Sequence, residues 1–93
     1  MKHKSFIVPH DFTQVATVAL NHAIETSKRV NTTIHILHVV DKQEDVASAT
    51  DKIDEIIAAH TVEGITLTNN VRIGNIFTSI AEFSAEHQAE MIF

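Results

Sequence analysis

A carboxylate stands directly behind the first apolar run of the chain, where Phe6-Ile7-Val8-Pro9 is followed by His10 and Asp11. In that position it can accept hydrogen bonds from ribose hydroxyls or an adenine amino group, and it can equally cap the helix that follows. Seven histidines raise the question of a metal. His35 and His38 are three apart in a β-rich run, which sends their side chains to opposite faces. His22, His60 and His87 fall on or beside the apolar faces of three different helical segments, and His3 and His10 flank the first run. A zinc site needs three or four converging ligands with partners behind them, so no metal is expected. Ser5, Ser27, Ser48, Ser79 and Ser84 have no Gly-x-Ser-x-Gly setting, and none follows a strand as a nucleophile elbow requires. The chain has no cysteine, hence no thiolate ligand, disulfide or thiol nucleophile. A phosphorylatable receiver module needs an acidic pair after the first strand and an aspartate after the third. Asp11 stands alone, and the third run ends in Asn69, Asn70 and Val71. Binding rather than catalysis is the expectation.

The elements that must position these residues follow from periodicity. Ser5 to Pro9 is a continuous apolar run, as in a strand buried on both faces of a parallel sheet. From Thr13 to Val30 the pattern is helical: Ala16, Ala19, Leu20, Ala23, Ile24 and Ser27 share one face, Thr13 is the N-cap, and Lys28 and Arg29 sit at the C-terminus. Thr33 to Val40 is a second strand. Val46, Ala49, Ile53, Ile56, Ile57 and His60 then trace a second helical face, expected to end at Gly64, with Asp41 and Glu44 spaced as a capping box. Ile65 to Val71 alternates apolar with polar residues, the mark of an edge strand. Gly74 and Asn75 supply a turn and cap for a third helix with its face on Ile76, Phe77, Ile80, Ala81, Ser84 and His87, and Met91-Ile92-Phe93 starts a fourth strand. Strand alternating with helix through short loops means parallel β-α-β crossovers in a doubly wound α/β sheet. The residues to inspect for binding are those just after each strand: His10 and Asp11, Val40 and Asp41, and Arg72 to Asn75.

Length and charge bound the rest. Ninety-three residues make one domain at most. A hydrophobic fraction of 44% with 20% charged residues is an ordinary globular mixture. Seven basic against twelve acidic residues give a net charge of −5, which repels nucleic-acid phosphate. The apolar run before Pro9 is too short for a signal-peptide core or a membrane span, so no membrane is expected and the cytoplasm is the default compartment. The bare apolar strand at Phe93 suggests one incomplete domain over residues 1–93.

Several segments, taken together and in order, resemble the universal stress protein family. They are Phe6-Ile7-Val8-Pro9-His10-Asp11-Phe12-Thr13, Val18-Ala19-Leu20-Asn21-His22-Ala23, Ile36-Leu37-His38-Val39-Val40-Asp41, and Val71-Arg72-Ile73-Gly74 followed by Ile80-Ala81. The resemblance implies a flavodoxin-like domain, related to the adenine nucleotide alpha hydrolases, with strand order three-two-one-four and the fifth strand missing. It implies ATP or another adenine nucleotide as ligand of the complete domain. Pro9 and Asp11 would line the adenine and ribose side, and Val39 would present its backbone to adenine. Gly74 matches the glycine of the turn before the third helix, although Ile76 stands where the family often has proline. His10, directly after the first strand, joins this candidate set. In members that hold ATP, a glycine-rich stretch after the fourth strand cradles phosphate, and the two glycines here, Gly64 and Gly74, belong to no such loop. This chain by itself is therefore expected to hold no nucleotide, and the regulatory role belongs to the complete form. The alternatives are the branch that does not bind ATP and acts through dimerisation and protein partners, and, third, an enzyme of the wider superfamily. With no fifth strand, the far edge of the fourth strand is left unpaired and apolar area around Phe93 is left uncovered, so the chain is expected to be a homodimer or larger through the fourth strand and third helix, or else only marginally folded.

Overall fold

The computed structural model describes residues 4–28, 31–89 and 91–93. Among them the chain runs β1 (Lys4–Pro9), α1 (Gln14–Ser27), β2 (Thr32–Val40), a 3₁₀ turn over Gln43–Asp45, α2 (Val46–Ala59), β3 (Ile65–Ile73), α3 (Ile76–His87) and β4 (Met91–Ile92). All strands pair in parallel in one sheet of order β3-β2-β1-β4, with Ile7 level with His35 and Ile92, and His35 level with Thr68. The expected positions His3, Arg29 and Val30 lie outside the described residues. Among the described residues, no helix is long and apolar enough to cross a membrane.

β1 is apolar on both sides because both sides are covered. Its Phe6 and Val8 join Ile34 and Ile36 of β2, Leu20, Ala23 and Ile24 of α1 and Ile53 of α2 in one core cluster. Ile7 points the other way and meets Leu37 and Phe83, the latter from α3. A fully buried side chain of this kind contributes about 1.5 to 3 kcal/mol, so the larger cluster dominates the fold. The second face carries polar groups as well. His35 is nearly buried, with Nδ1 2.8 Å from Thr68 Oγ1 and Nε2 3.0 Å from Ser5 Oγ. Its ring meets Phe83 edge-on at 5.2 Å and lies 4.5 Å from the His87 ring.

Four local expectations are corrected. α2 ends at Ala59, before Gly64, because His60 Nδ1 donates to the Ile56 carbonyl at 2.7 Å and the Thr61 hydroxyl to that of Ile57 at 3.0 Å. Those side chains satisfy the last carbonyls of the helix, and Gly64 at φ +86° serves the turn into β3 instead. Asp41 and Glu44 form no capping box: the 3₁₀ turn delays the helix start, and the N-cap Asp45 makes no side-chain cap bond. β3 continues to Ile73, level with Val40, so Arg72 lies in the ladder, pairs with Glu86 at 3.1 Å and covers the Phe83 ring. The buried stripe of α3 is rotated from the expected one. Ser79 and Phe83 are its buried residues, with Ile80 packed beside them, while Phe77 is 79% exposed.

Candidate functional site

Where the chain turns from β1 into α1, the backbone is held by its own side chains. Thr13 is the N-cap of α1, its hydroxyl oxygen accepting the Ala16 N–H at 3.3 Å. Asp11 braces that cap by accepting both the Thr13 N–H, at 3.1 Å, and the Thr13 hydroxyl. The Thr13 hydroxyl and N–H hold the exposed Asp11 carboxyl below its usual range. The two readings of Asp11, ligand acceptor and helix support, therefore concern one carboxylate with one oxygen already engaged.

His10 completes the turn from beneath. It is 3% exposed, its N–H donates to the Leu37 carbonyl at 2.8 Å, and its Nδ1 accepts the Phe12 N–H at 3.0 Å. An accepting Nδ1 leaves the proton on Nε2, which points at Thr17 Oγ1 3.4 Å away. Burial lowers the imidazole below its ordinary range, against the pull of the Asp11 carboxylate and with help from His38 and His60. Phe12 adopts φ +66°, a left-handed conformation that costs a non-glycine residue about 1 to 2 kcal/mol. Its ring meets that of His38 at 4.2 Å, tilted by 35°, and carries Lys52 Nζ 5.1 Å from its centre, while His38 Nδ1 donates to the His10 carbonyl at 2.6 Å.

Beyond the carboxyl ends of β1 and β2 lies an open cleft of about 630 Å³. Pro9, His10, Asp11, His38 and Val39 border it, α1 contributes Val15, Ala16 and Ala19, and Ile76 and Phe93 close the far side. Such a crevice, between helices on opposite faces of the sheet and where the strand order reverses, is the common ligand position in open α/β sheets. Four of the five sequence-selected residues thus surround one space. Gly74 is not among its walls: at φ +132° it turns the chain out of β3, and its N–H donates to the Val40 carbonyl at 2.9 Å. Among the described residues no Lys or Arg lines the cleft, and no group of three or more His, Asp or Glu is placed to hold a metal. Sequence reasoning passed over Thr13, Phe12 and His38 as parts of the site. Thr13 was legible as a cap. The spacing of His38 from His35 already put the two on opposite faces; what it lacked was the step from that face to the first turn, which His38 reaches through the His10 carbonyl.

The family model described as "Universal stress protein family" matches residues 2–93. The chain belongs to the universal stress protein family. Among solved structures, a universal stress protein from Archaeoglobus fulgidus DSM 4304 is 28% identical, with a TM-score of 0.76, covering 97% of this chain and 32% of its own. Universal stress protein UspA from Lactobacillus plantarum shares the fold at a TM-score of 0.77 and 18% identity, over 99% of this chain and 76% of its own. Hypothetical protein MJ0577, solved as a test case of structural genomics for structure-based assignment of biochemical function, shares it at 0.84 and 19%, over 97% and 72%. No curated protein matches the chain. In this universal stress protein the family opening Pro9-His10-Asp11 is thus also the turn whose hydrogen bonds are described above.

Proposed function

We propose that this universal stress protein chain is a cytoplasmic regulatory module, without enzymatic activity, whose complete form binds an adenine nucleotide such as ATP in the cleft at the ends of β1 and β2. The observation that carries this reading is that Pro9, His10, Asp11 and Val39, from two different strands, border the same space. Asp11 keeps acceptor capacity beyond the Thr13 bonds and would take ribose hydroxyls or the adenine amino group, and the Val39 backbone would meet the base edge. Residues 1–93 contain no glycine-rich phosphate loop, so calorimetric titration of ATP into this chain should give a dissociation constant no tighter than about a millimolar, near −4 kcal/mol. The chain extended to a complete domain with a glycine-rich stretch after the fourth strand should bind more tightly, and Asp11→Ala in that form should weaken binding by roughly ten-fold or more. No binding by the extended form would refute the nucleotide reading.

A second reading is favoured by one observation. No cation lines the cleft among the described residues, and Asp11 brings negative charge to its rim. That suits a member that binds no ATP and acts through self-association and protein contacts.

A further inference from the structure

His10 holds a backbone donor of the first turn through a ring nitrogen that can take up a proton. We propose that His10 is a proton-sensitive positioning residue: its neutral imidazole accepts the Phe12 N–H, and protonation at Nδ1 releases the β1–α1 turn that sets Asp11 at the cleft. The geometry gives the reason. An imidazolium has two donors and no acceptor, so a proton on Nδ1 points a second donor at the Phe12 N–H, 3.0 Å away. At 3% exposure little of the residue is open to solvent that could relieve that clash. Phe12 at φ +66° has no glycine's freedom and depends on such restraints to stay left-handed.

The charges around the ring set the direction of the movement. From its own turn Asp11 acts on it, from β2 His38, and from the C-cap of α2 His60, while Lys52 of α2 sits over the neighbouring Phe12 ring. His38 and His60 oppose a charge on His10, and Asp11 is the carboxylate that can answer it. Doing so draws Asp11 from the Thr13 N–H and hydroxyl, so the brace on the N-cap of α1 and the carboxylate at the cleft are lost together. Thr17 Oγ1, 3.4 Å from Nε2, keeps its place in either state, because Nε2 carries a proton in both. The switch is a property of the turn itself. Its effect on nucleotide affinity rests on the reading under Proposed function, so the test is made without nucleotide.

Nitrogen-15 NMR of the histidine rings and amides, from about pH 7.5 to about pH 5, reads the tautomer and the titration directly. At neutral pH the His10 Nδ1 resonance should be that of an unprotonated acceptor. As His10 titrates, the Phe12 amide should move with the same midpoint and lose about ten-fold in exchange protection, the equivalent of one hydrogen bond. In His10→Asn the side-chain oxygen occupies the place of Nδ1 and cannot be protonated, so the turn should remain formed and the Phe12 response should vanish. A proton on Nδ1 at neutral pH, a Phe12 amide indifferent to the titration, or a wild-type response surviving in His10→Asn would each overturn the proposal. If His10→Asn does not fold, the wild-type tautomer and the shared midpoint decide the matter alone.

Discussion

Truncating Phe83 to alanine should destabilise the fold by about 4 kcal/mol, whereas the same change at Phe77 should stay within about 0.5 kcal/mol. The two residues lie on one helix, six positions apart, and share a chemistry. Phe83 is fully buried against Ile7 and Leu37, stacks on the His87 ring at 4.1 Å, meets the His35 ring at 5.2 Å and lies beneath Arg72. Removing a buried phenylalanine costs about 3 to 5 kcal/mol through lost transfer energy and the cavity left behind, and the ring pairs place this site in the upper part of that range. Phe77 is 79% exposed and has little burial to lose. A chain of this size has only about 5 to 14 kcal/mol of total stability, so Phe83→Ala can remove most of it. Phe83→Leu, at roughly 1 to 2 kcal/mol, keeps the comparison measurable. Urea unfolding followed by circular dichroism gives the midpoints and slopes from which the differences are taken. Equal losses at the two positions, or the larger loss at Phe77, would show that the packed face of α3 is the one read from its sequence pattern.

Thr13→Ala should cost about 1 kcal/mol by removing the N-cap of α1, and Thr13→Ser should restore most of it in the same urea assay. His10 is held below its ordinary value near 6.5 by burial, so the unfolded chain takes up this proton first on acidification. The contribution of a neutral His10 is therefore complete above about pH 6.5 and is lost as pH falls through the folded value; urea midpoints should fall over that interval in the wild type and less in His10→Asn. Self-association should use the side of β4 away from β1, where Ile92 is 50% exposed, together with α3, whose Phe77 is bare, so sedimentation at micromolar concentration should show a dimer or larger and Ile92→Glu should shift it toward monomer. A well-folded monomer in the wild type would refute that contact.

How much of this was readable in the letters depends on which force made each choice. The alternation of strand and helix was legible because burial on both sides of β1 demands the unbroken Phe6-Ile7-Val8, while the covered face of α1 demands small residues at spacings of three and four. The caps Thr13 and Asn75 were legible because their oxygens serve donors two or three residues away, a purely local matter. The face of α3 was not. Its Ile, Phe and Ala residues fit two stripes about equally, and only the fit of Phe83 among Ile7, Leu37 and the His35 ring selects one of them. The candidate site divides in the same way. His10 and Asp11 could be named from their positions at a strand end, and Pro9 and Val39 from the family resemblance, but the left-handed Phe12 carries no glycine to announce it. The grip of His10 on that residue appears only when both atoms are placed.

The hydroxyl, imidazole and hydroxyl of Ser5, His35 and Thr68, set side by side across three strands, bear on how the sheet finds its alignment. No hairpin joins these strands, so no tight turn counts out the offset between them. The apolar pattern punishes a shift of one position, which turns every side chain over, but it is blind to a shift of two. The histidine is not blind to it. Slid two positions toward the carboxyl end of β1, its ring would come level with Pro9 and have Ile7 in place of Ser5 as its diagonal neighbour, neither of which offers a side-chain hydroxyl. One polar residue inside a greasy strand thus acts as an index mark, and the cleft at the strand ends inherits its geometry from that count.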